Sequence, residues 1–320
     1  MILYHWQGRA SNFGDELNTL LWPRLLPDFF DDDPAVRFLG IGSILDRRHA
    51  RVATKLVAGS GYGGYEAKPV LDRSWVIHWV RGRRTAARLG LEAALALGDP
   101  AVLLPRALGL ATAGGQDIGF MPHFESAGWG AWQSVAAMAG VRLIDPRDPP
   151  PAILAAIQGC KLLLSQALHG VIVADALRVP WVAIRPLAQV HQAKWLDWAE
   201  MLEVRPRFRG LPASTLLEWA DTSRLSRFHL GRVWLERMQP RLADIGSERL
   251  VARASQALGR AAEAAPQLSS DIALDRCQSR MLDAVQAIRA RPLRAPSSAG
   301  AVRRARSCLP ASGNSAYQPG

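Results

Sequence analysis

A chain of 320 residues, 49% hydrophobic and 21% charged, is too long for one small domain and too apolar to be disordered. Its formal net charge is +11, from 39 basic and 28 acidic residues, and only Lys55, Lys68, Lys161 and Lys194 are lysine. That arginine excess suits an anionic partner; with no zinc spacing and no nucleic-acid module, a phosphorylated substrate or an anionic membrane surface is expected, not nucleic acid.

The first half alternates short apolar runs with turns and helical patterns. Ile2–His5 reads as a strand, and Asp15–Leu26 as a helix with Leu17, Leu20, Leu21 and Leu25 on one face. Asn12 and Gly14 fall in the loop between them. Asp15 and Glu16 open the helix, where a carboxylate either caps the first turn or faces a ligand at the strand ends. Val36–Leu39 is a strand followed by Gly40-Ile41-Gly42-Ser43, and Leu56–Ala58 one followed by the glycine-rich turn Gly59–Gly64. Neither turn leads into a Gly-Lys-Ser/Thr, and the second breaks the GxGxxG spacing, which disfavours a P-loop and a nicotinamide site. Trp75–Val80 is a fourth strand. Arg81, Arg83 and Arg84 then crowd a strand-to-helix turn, either as a solvated basic turn or as guanidinium forks for an anion. Gly98-Asp99-Pro100 is a turn.

The second half repeats the pattern after a boundary near Ala111–Gly115. Ile118–Met121 is a strand ending at His123, Trp129–Ala139 a helix, Val141–Ile144 a strand and Pro151–Ile157 a helix. Lys161–Leu164 is a strand whose polar break, Ser165-Gln166-Ala167, opens a helix carrying His169-Gly170 in its first turn. Backbone N–H groups and the positive end of the dipole converge there, so His169 either holds an anion and moves a proton or simply packs. Trp181–Ile184 is a strand and Ala193–Leu202 a helix. The recurring strand–turn–helix order predicts two doubly wound α/β units, 1–115 and 116–265, with ligands at the strand carboxyl ends. The paired tryptophans read as core, with a shelf under a sugar ring as the alternative.

Beyond Arg205 the pattern turns helical, with helices predicted over Ser247–Ala264 and Ile272–Ala290, so 266–320 reads as a helix and a tail. From Pro292 onward the chain is rich in Pro, Ser, Gly and Arg and is expected to be disordered. Cys160, Cys277 and Cys308 form no paired framework, which fits a reducing compartment. With no signal peptide and no spanning stretch evident, a cytoplasmic protein is expected. No metal site is expected from the His, Cys and carboxylate spacing.

Nine segments, taken in order, resemble the polysaccharide pyruvyltransferase family, in particular the succinoglycan-type ketal pyruvate transferases. They are NFGDELN (Asn12–Asn18), GIGSIL (Gly40–Leu45), GSGYG (Gly59–Gly63), VRG with a Thr-Ala following (Val80–Ala86), LGDPA (Leu97–Ala101), GFMPHFES (Gly119–Ser126), IDPRD (Ile144–Asp148), LHGVIVADALRVPWVA (Leu168–Ala183) and KWLDW (Lys194–Trp198). They span roughly the first 202 residues; the C-terminal third carries no such signal. Many relatives carry an arginine in the turn before the histidine, where this chain has Ala167, so an arginine from Arg81–Arg84 or Arg185 is expected to replace it.

The resemblance implies two Rossmann-like lobes facing a cleft, similar to GT-B glycosyltransferases. It implies phosphoenolpyruvate as donor substrate with no further cofactor, and a hexose of a surface polysaccharide or its lipid-linked precursor as acceptor. The product is a cyclic pyruvate ketal, with phosphate released. Set on this chain, His169 binds the donor anion and delivers a proton, and His123 is a second phosphate contact or acid. Arg81 and Arg84 clamp the donor, with Ser165, Gly170 and Gly61 in the anion-binding turns. Asp15 or Glu16 deprotonates the acceptor, which Asn12 and Gly14 border. The basic tail suits peripheral contact with anionic lipid. Rival readings are a GT-B-like nucleotide-sugar glycosyltransferase and a non-catalytic member of a polysaccharide assembly complex.

Overall fold

In a computed structural model, which describes residues 1–8, 11–49, 52–112, 114–185, 189–222 and 247–290, the strands form two parallel sheets of four. The first contains β1 (Ile2–Tyr4), β2 (Val36–Leu39), β3 (Thr54–Ala58) and β4 (Trp75–Trp79) in the order β1-β2-β3-β4. The second contains β5 (Asp117–Met121), β6 (Arg142–Leu143), β7 (Cys160–Ser165) and β8 (Trp181–Ala183) in the order β6-β5-β7-β8. Each of the eight overlaps the span expected from its apolar run. Buried parallel strands carry few polar residues, which makes such runs legible.

The first sheet departs from the doubly wound expectation. Its strand order never reverses, and among the described residues only the β1–β2 crossover carries a helix, α1 (Phe13–Leu25). The described residues of the β2–β3 and β3–β4 connections form loops, and the first lends Ile44 and Leu45 to the sheet face that Leu39 and Val57 present. Helix α2 (Arg83–Leu89) adds Ala86 to the same cluster. The other face packs Phe38 and Leu56 under α1. The second sheet does reverse, between β5 and β7, and at such a switch point ligands bind past the strand carboxyl ends. His123 follows β5 there and the Gln166–His169 turn follows β7.

Further helices are α3 (Leu104–Leu108), α4 (Phe124–Ala127), α5 (Trp132–Ala139), α6 (Pro150–Gln158), α7 (Leu168–Ala176), α8 (Gln189–Ala199), α9 (Leu216–Thr222), α10 (Ser247–Ala262) and α11 (Asp271–Ala290). The helix expected over Trp129–Ala139 is α5, which begins at Trp132, and the short α4 precedes it, parted from it by Gly128 and Gly130. One hydrophobic cluster joins the halves: Phe13, Leu17 and Leu21 of α1 pack with Val171 and Val173 of α7. Eight of the nine residues of α7 are buried, so it is a central helix with no solvent stripe. Trp79, Trp195 and Trp198 are fully buried, which makes them core and not a sugar shelf.

Helix α11 returns to the first half of the chain. Gln278 Nε2 donates to the Val102 carbonyl at 2.7 Å, and Cys277 Sγ packs on Gly98, where an added Cβ would stand 2.6 Å from the sulfur. Gly98 has φ +141°, a backbone conformation that side chains resist. Cys160 and Cys277 are free and buried, and burial lifts their thiols to about 11 and about 12. Cys308, the basic tail and its expected disorder lie outside the described residues. Among the described residues no helix is long and apolar enough to cross a membrane.

Candidate active site

The site begins with how α1 is anchored. Asn18 is buried in its second turn, and its Oδ1 accepts from the Ile41 N–H at 2.8 Å and from Trp22 Nε1 at 3.0 Å. Its Nδ2 donates to the Ile41 carbonyl at 3.0 Å and to the Asp15 carbonyl at 2.9 Å. One amide thus ties the helix start to the Gly40–Ser43 turn and fixes Asp15. The Asp15 side chain is buried and accepts from Asn12 Nδ2 at 2.6 Å. Burial pushes its carboxyl above the ordinary value, while the charges of His169, Lys194 and His5 and the Asn12 bond pull the other way. Glu16, the neighbouring carboxylate, is half-buried, and its carbonyl accepts from Thr19.

His169 lies directly behind Gly14. A Cβ at Gly14 would fall 1.9 Å from His169 Nδ1, so glycine there makes room for the ring. On its other side His169 Nε2 stands 3.4 Å from Asp99 Oδ2. Asp99 is fully buried and caps the 3-10 turn Pro100–Leu103 by accepting from the Ala101 N–H at 3.0 Å. Burial alone would raise its carboxyl, but His169, Arg81 and the Ala101 N–H outweigh that and hold it below the ordinary value. A carboxylate so placed faces the Nε2 edge of the ring.

Arg81 is buried in the turn after β4. Its Nε donates to Asp197 Oδ2 at 3.1 Å and its Nη1 to Ser43 Oγ at 2.8 Å, while Nη2 is buried without a hydrogen-bond partner. Gly61 makes room for it, since a Cβ there would meet the guanidinium carbon at 2.3 Å. Asp197 also accepts from the Thr85 N–H at 3.0 Å and Thr85 Oγ1 at 2.6 Å. One helical turn earlier, Lys194 Nζ donates to Tyr65 Oη at 2.5 Å. Burial and the charge of Arg81 press the Lys194 ammonium down to about 8, against Asp15 and Glu125. Two cations, His169 and a carboxyl of raised proton affinity thus converge from α1, the turn after β4, α7 and α8.

Several sequence expectations are corrected. Arg84 points to the surface, where Nε donates to Glu200 at 2.8 Å, so it does not join Arg81. Ser165 offers no free hydroxyl: its Oγ accepts from the Ala167 N–H at 3.0 Å and donates to the Ala167 carbonyl at 2.9 Å, closing the turn. Gly170 is a packing glycine, whose Cβ would meet Met121 Sδ at 2.5 Å. His123 caps α4, with its N–H bonded to Gln166 Oε1 at 3.2 Å and its Nδ1 3.6 Å from Glu125. It belongs to the switch-point rim, apart from the His169–Asp99 pair. Sequence reasoning misses Lys194, Asp99 and Asp197. The one available signal is that Lys194 is among only four lysines in a chain that otherwise uses arginine. Among the described residues no group of three His, Cys, Asp or Glu side chains could hold a metal ion.

Residues 60–186 match the family model described as polysaccharide pyruvyl transferase. Over 314 residues, 89% of this chain and 98% of the relative, the sequence is 36% identical to the succinoglycan biosynthesis protein ExoV of Rhizobium meliloti (strain 1021). No solved structure matches the chain significantly.

Proposed function

The chain belongs to the polysaccharide pyruvyl transferase family, and from that footing we propose that its donor is phosphoenolpyruvate and its product a cyclic pyruvate ketal. The acceptor is a hexose of a surface polysaccharide or of its lipid-linked precursor. The observation that carries this reading is the unpaired, buried Nη2 of Arg81, on the same cluster as Lys194 and His169. A donor with a carboxylate and a phosphate needs several cations in one place, and a buried N–H without a partner is costly until an anion accepts from it.

In this reading Arg81 Nη2 and Lys194 hold the donor. His169, kept in orientation by Asp99, delivers a proton to the methylene carbon, which becomes the methyl group, and positive charge develops at the adjacent carbon. An acceptor hydroxyl adds there and its proton passes to Asp15, whose proton affinity is raised by burial. The carbon–oxygen bond to phosphate then breaks. A second hydroxyl closes the ketal, and its proton leaves with the phosphate. The buried Arg81 charge and that of half-buried Lys194 oppose the phosphate's as it departs. The second, doubly wound sheet suits a GT-B-like transferase, and the reaction is assigned to the cytoplasmic face of the membrane, where the arginine-rich tail meets anionic lipid.

The test is acceptor-dependent phosphate release from phosphoenolpyruvate, with the ketal methyl followed by NMR. His169→Ala is expected to slow it by roughly 10²–10⁴-fold, the usual worth of a general acid. Full activity in that variant, or release that ignores the acceptor, would overturn the reading.

A further inference from the structure

A cavity of about 560 Å³ opens past the carboxyl ends of β7 and β8, and none of the donor-cluster residues lines it. Its walls include Gln166, Arg185, Glu218, Arg253 and Arg260. Arg253 and Arg260 stand two turns apart on α10, whose Val251, Ala254 and Leu258 bury the opposite side against the second sheet. Among the described residues none of the three guanidinium groups makes an ion pair. Glu218 is the one carboxylate among the described lining residues, and it is committed to Ser126 Oγ at 2.5 Å and to the Ser214 N–H at 2.7 Å. The cavity therefore presents an excess of positive charge, and Arg's planar fork matches phosphate oxygens.

Size and position separate this cavity from the donor cluster. Sites of roughly 300–1,000 Å³ take drug-sized ligands, more than a three-carbon acid phosphate needs. The donor's charge is already answered by Arg81 and Lys194. Gln166, 2% exposed, borders the cavity three residues before His169, so a molecule anchored there reaches toward the reacting histidine.

We propose that this cavity is a second anion site, which takes the phosphoryl end of a saccharide phosphate and so seats the acceptor. This rests on the pyruvyl-transfer reading above for what His169 does with the seated sugar. The acceptor's phosphate lies against Arg185, Arg253 and Arg260, and its sugar extends past Gln166 to Asp15 and His169.

The experiment is calorimetric titration of the full chain with inorganic pyrophosphate, in the presence of saturating phosphoenolpyruvate. Wild-type protein is expected to bind both at once. Arg253→Ala/Arg260→Ala should weaken pyrophosphate at least tenfold and leave phosphoenolpyruvate affinity within twofold. Arg185→Ala, in the segment that follows β8, should repeat that result without touching α10. Equal loss of phosphoenolpyruvate affinity would make the cavity the donor's own and overturn the proposal; so would unchanged pyrophosphate binding. Tenfold tighter binding of uridine diphosphate than of pyrophosphate would make it a nucleotide site and overturn the proposal as well. Wild-type protein that binds pyrophosphate but not phosphoenolpyruvate would fail the donor reading, and the acceptor role with it.

Discussion

His169 Nε2 lies 3.4 Å from Asp99 Oδ2, and Asp99 has no exposure to solvent. The two side chains come from different halves of the chain, and the loop bearing Asp99 is backed by Cys277 of α11. The C-terminal helix thus supports the carboxylate beside His169, although none of the nine motif segments lies in it.

Asp99→Asn should lower both activity and stability, and its stability effect should depend on pH. The Asp99 carboxyl is held below its ordinary value in the folded protein, so its contribution is present above the unfolded value, near 4, and is lost as pH falls through the folded one. The difference in Tm between wild type and Asp99→Asn should be full at pH 5 to 7 and shrink below about pH 4. A difference that stayed constant down to pH 3 would mean that the carboxylate's charge contributes nothing to folding.

Gly14→Ala is expected to abolish activity through a steric route. In an accommodating helix the change stabilises by about 0.4–1 kcal/mol. Here the added Cβ would stand 1.9 Å from His169 Nδ1. Tm should fall in Gly14→Ala and recover in Gly14→Ala/His169→Ala, where the ring is gone. Absence of recovery in thermal melts would show that the strain lies elsewhere.

How much of this is legible in sequence follows from which contacts are local. Apolar runs locate every strand, and the polar break at Ser165–Ala167 locates the start of α7, because both depend on neighbours along the chain. Arg81, Arg83 and Arg84 look like one basic patch, yet the α2 helix turns Arg84 away toward Glu200. Gly14 and Gly61 look like ligand contacts; each instead leaves space for a side chain distant in sequence, His169 and Arg81. Asp99 before a proline reads as a cap, and it is one with Oδ1; its second oxygen finds His169 only through tertiary packing. Lys194 and Asp197 arrive from the second half of the chain, and no local pattern predicts that they meet Arg81.

Arg81→Ala and Arg84→Ala should separate cleanly in chemical denaturation. Arg81 forms a buried pair with Asp197, and removing one partner of such a pair typically costs about 3–5 kcal/mol because a buried charge is left behind. Arg84 and Glu200 are a surface pair, usually worth about 0–1 kcal/mol, so Arg84→Ala should leave stability and turnover nearly unchanged. Loss of donor binding in Arg84→Ala would restore the two-arginine clamp expected from sequence.

Lys194 should set the alkaline limit of donor binding. Its ammonium titrates at about 8, lowered by burial and Arg81. The unfolded chain binds that proton up to about 10.4, so folding stability should rise with pH between about 8 and 10 as the buried charge is lost. Donor affinity should move oppositely, with KM for phosphoenolpyruvate climbing above pH 8 as the cation disappears. Lys194→Met removes the charge at all pH values. It should therefore raise Tm at pH 7 and raise KM to a value that no longer changes between pH 7 and 9. A variant that kept the wild-type pH dependence of KM would assign the alkaline limb to another group and take Lys194 out of the donor site.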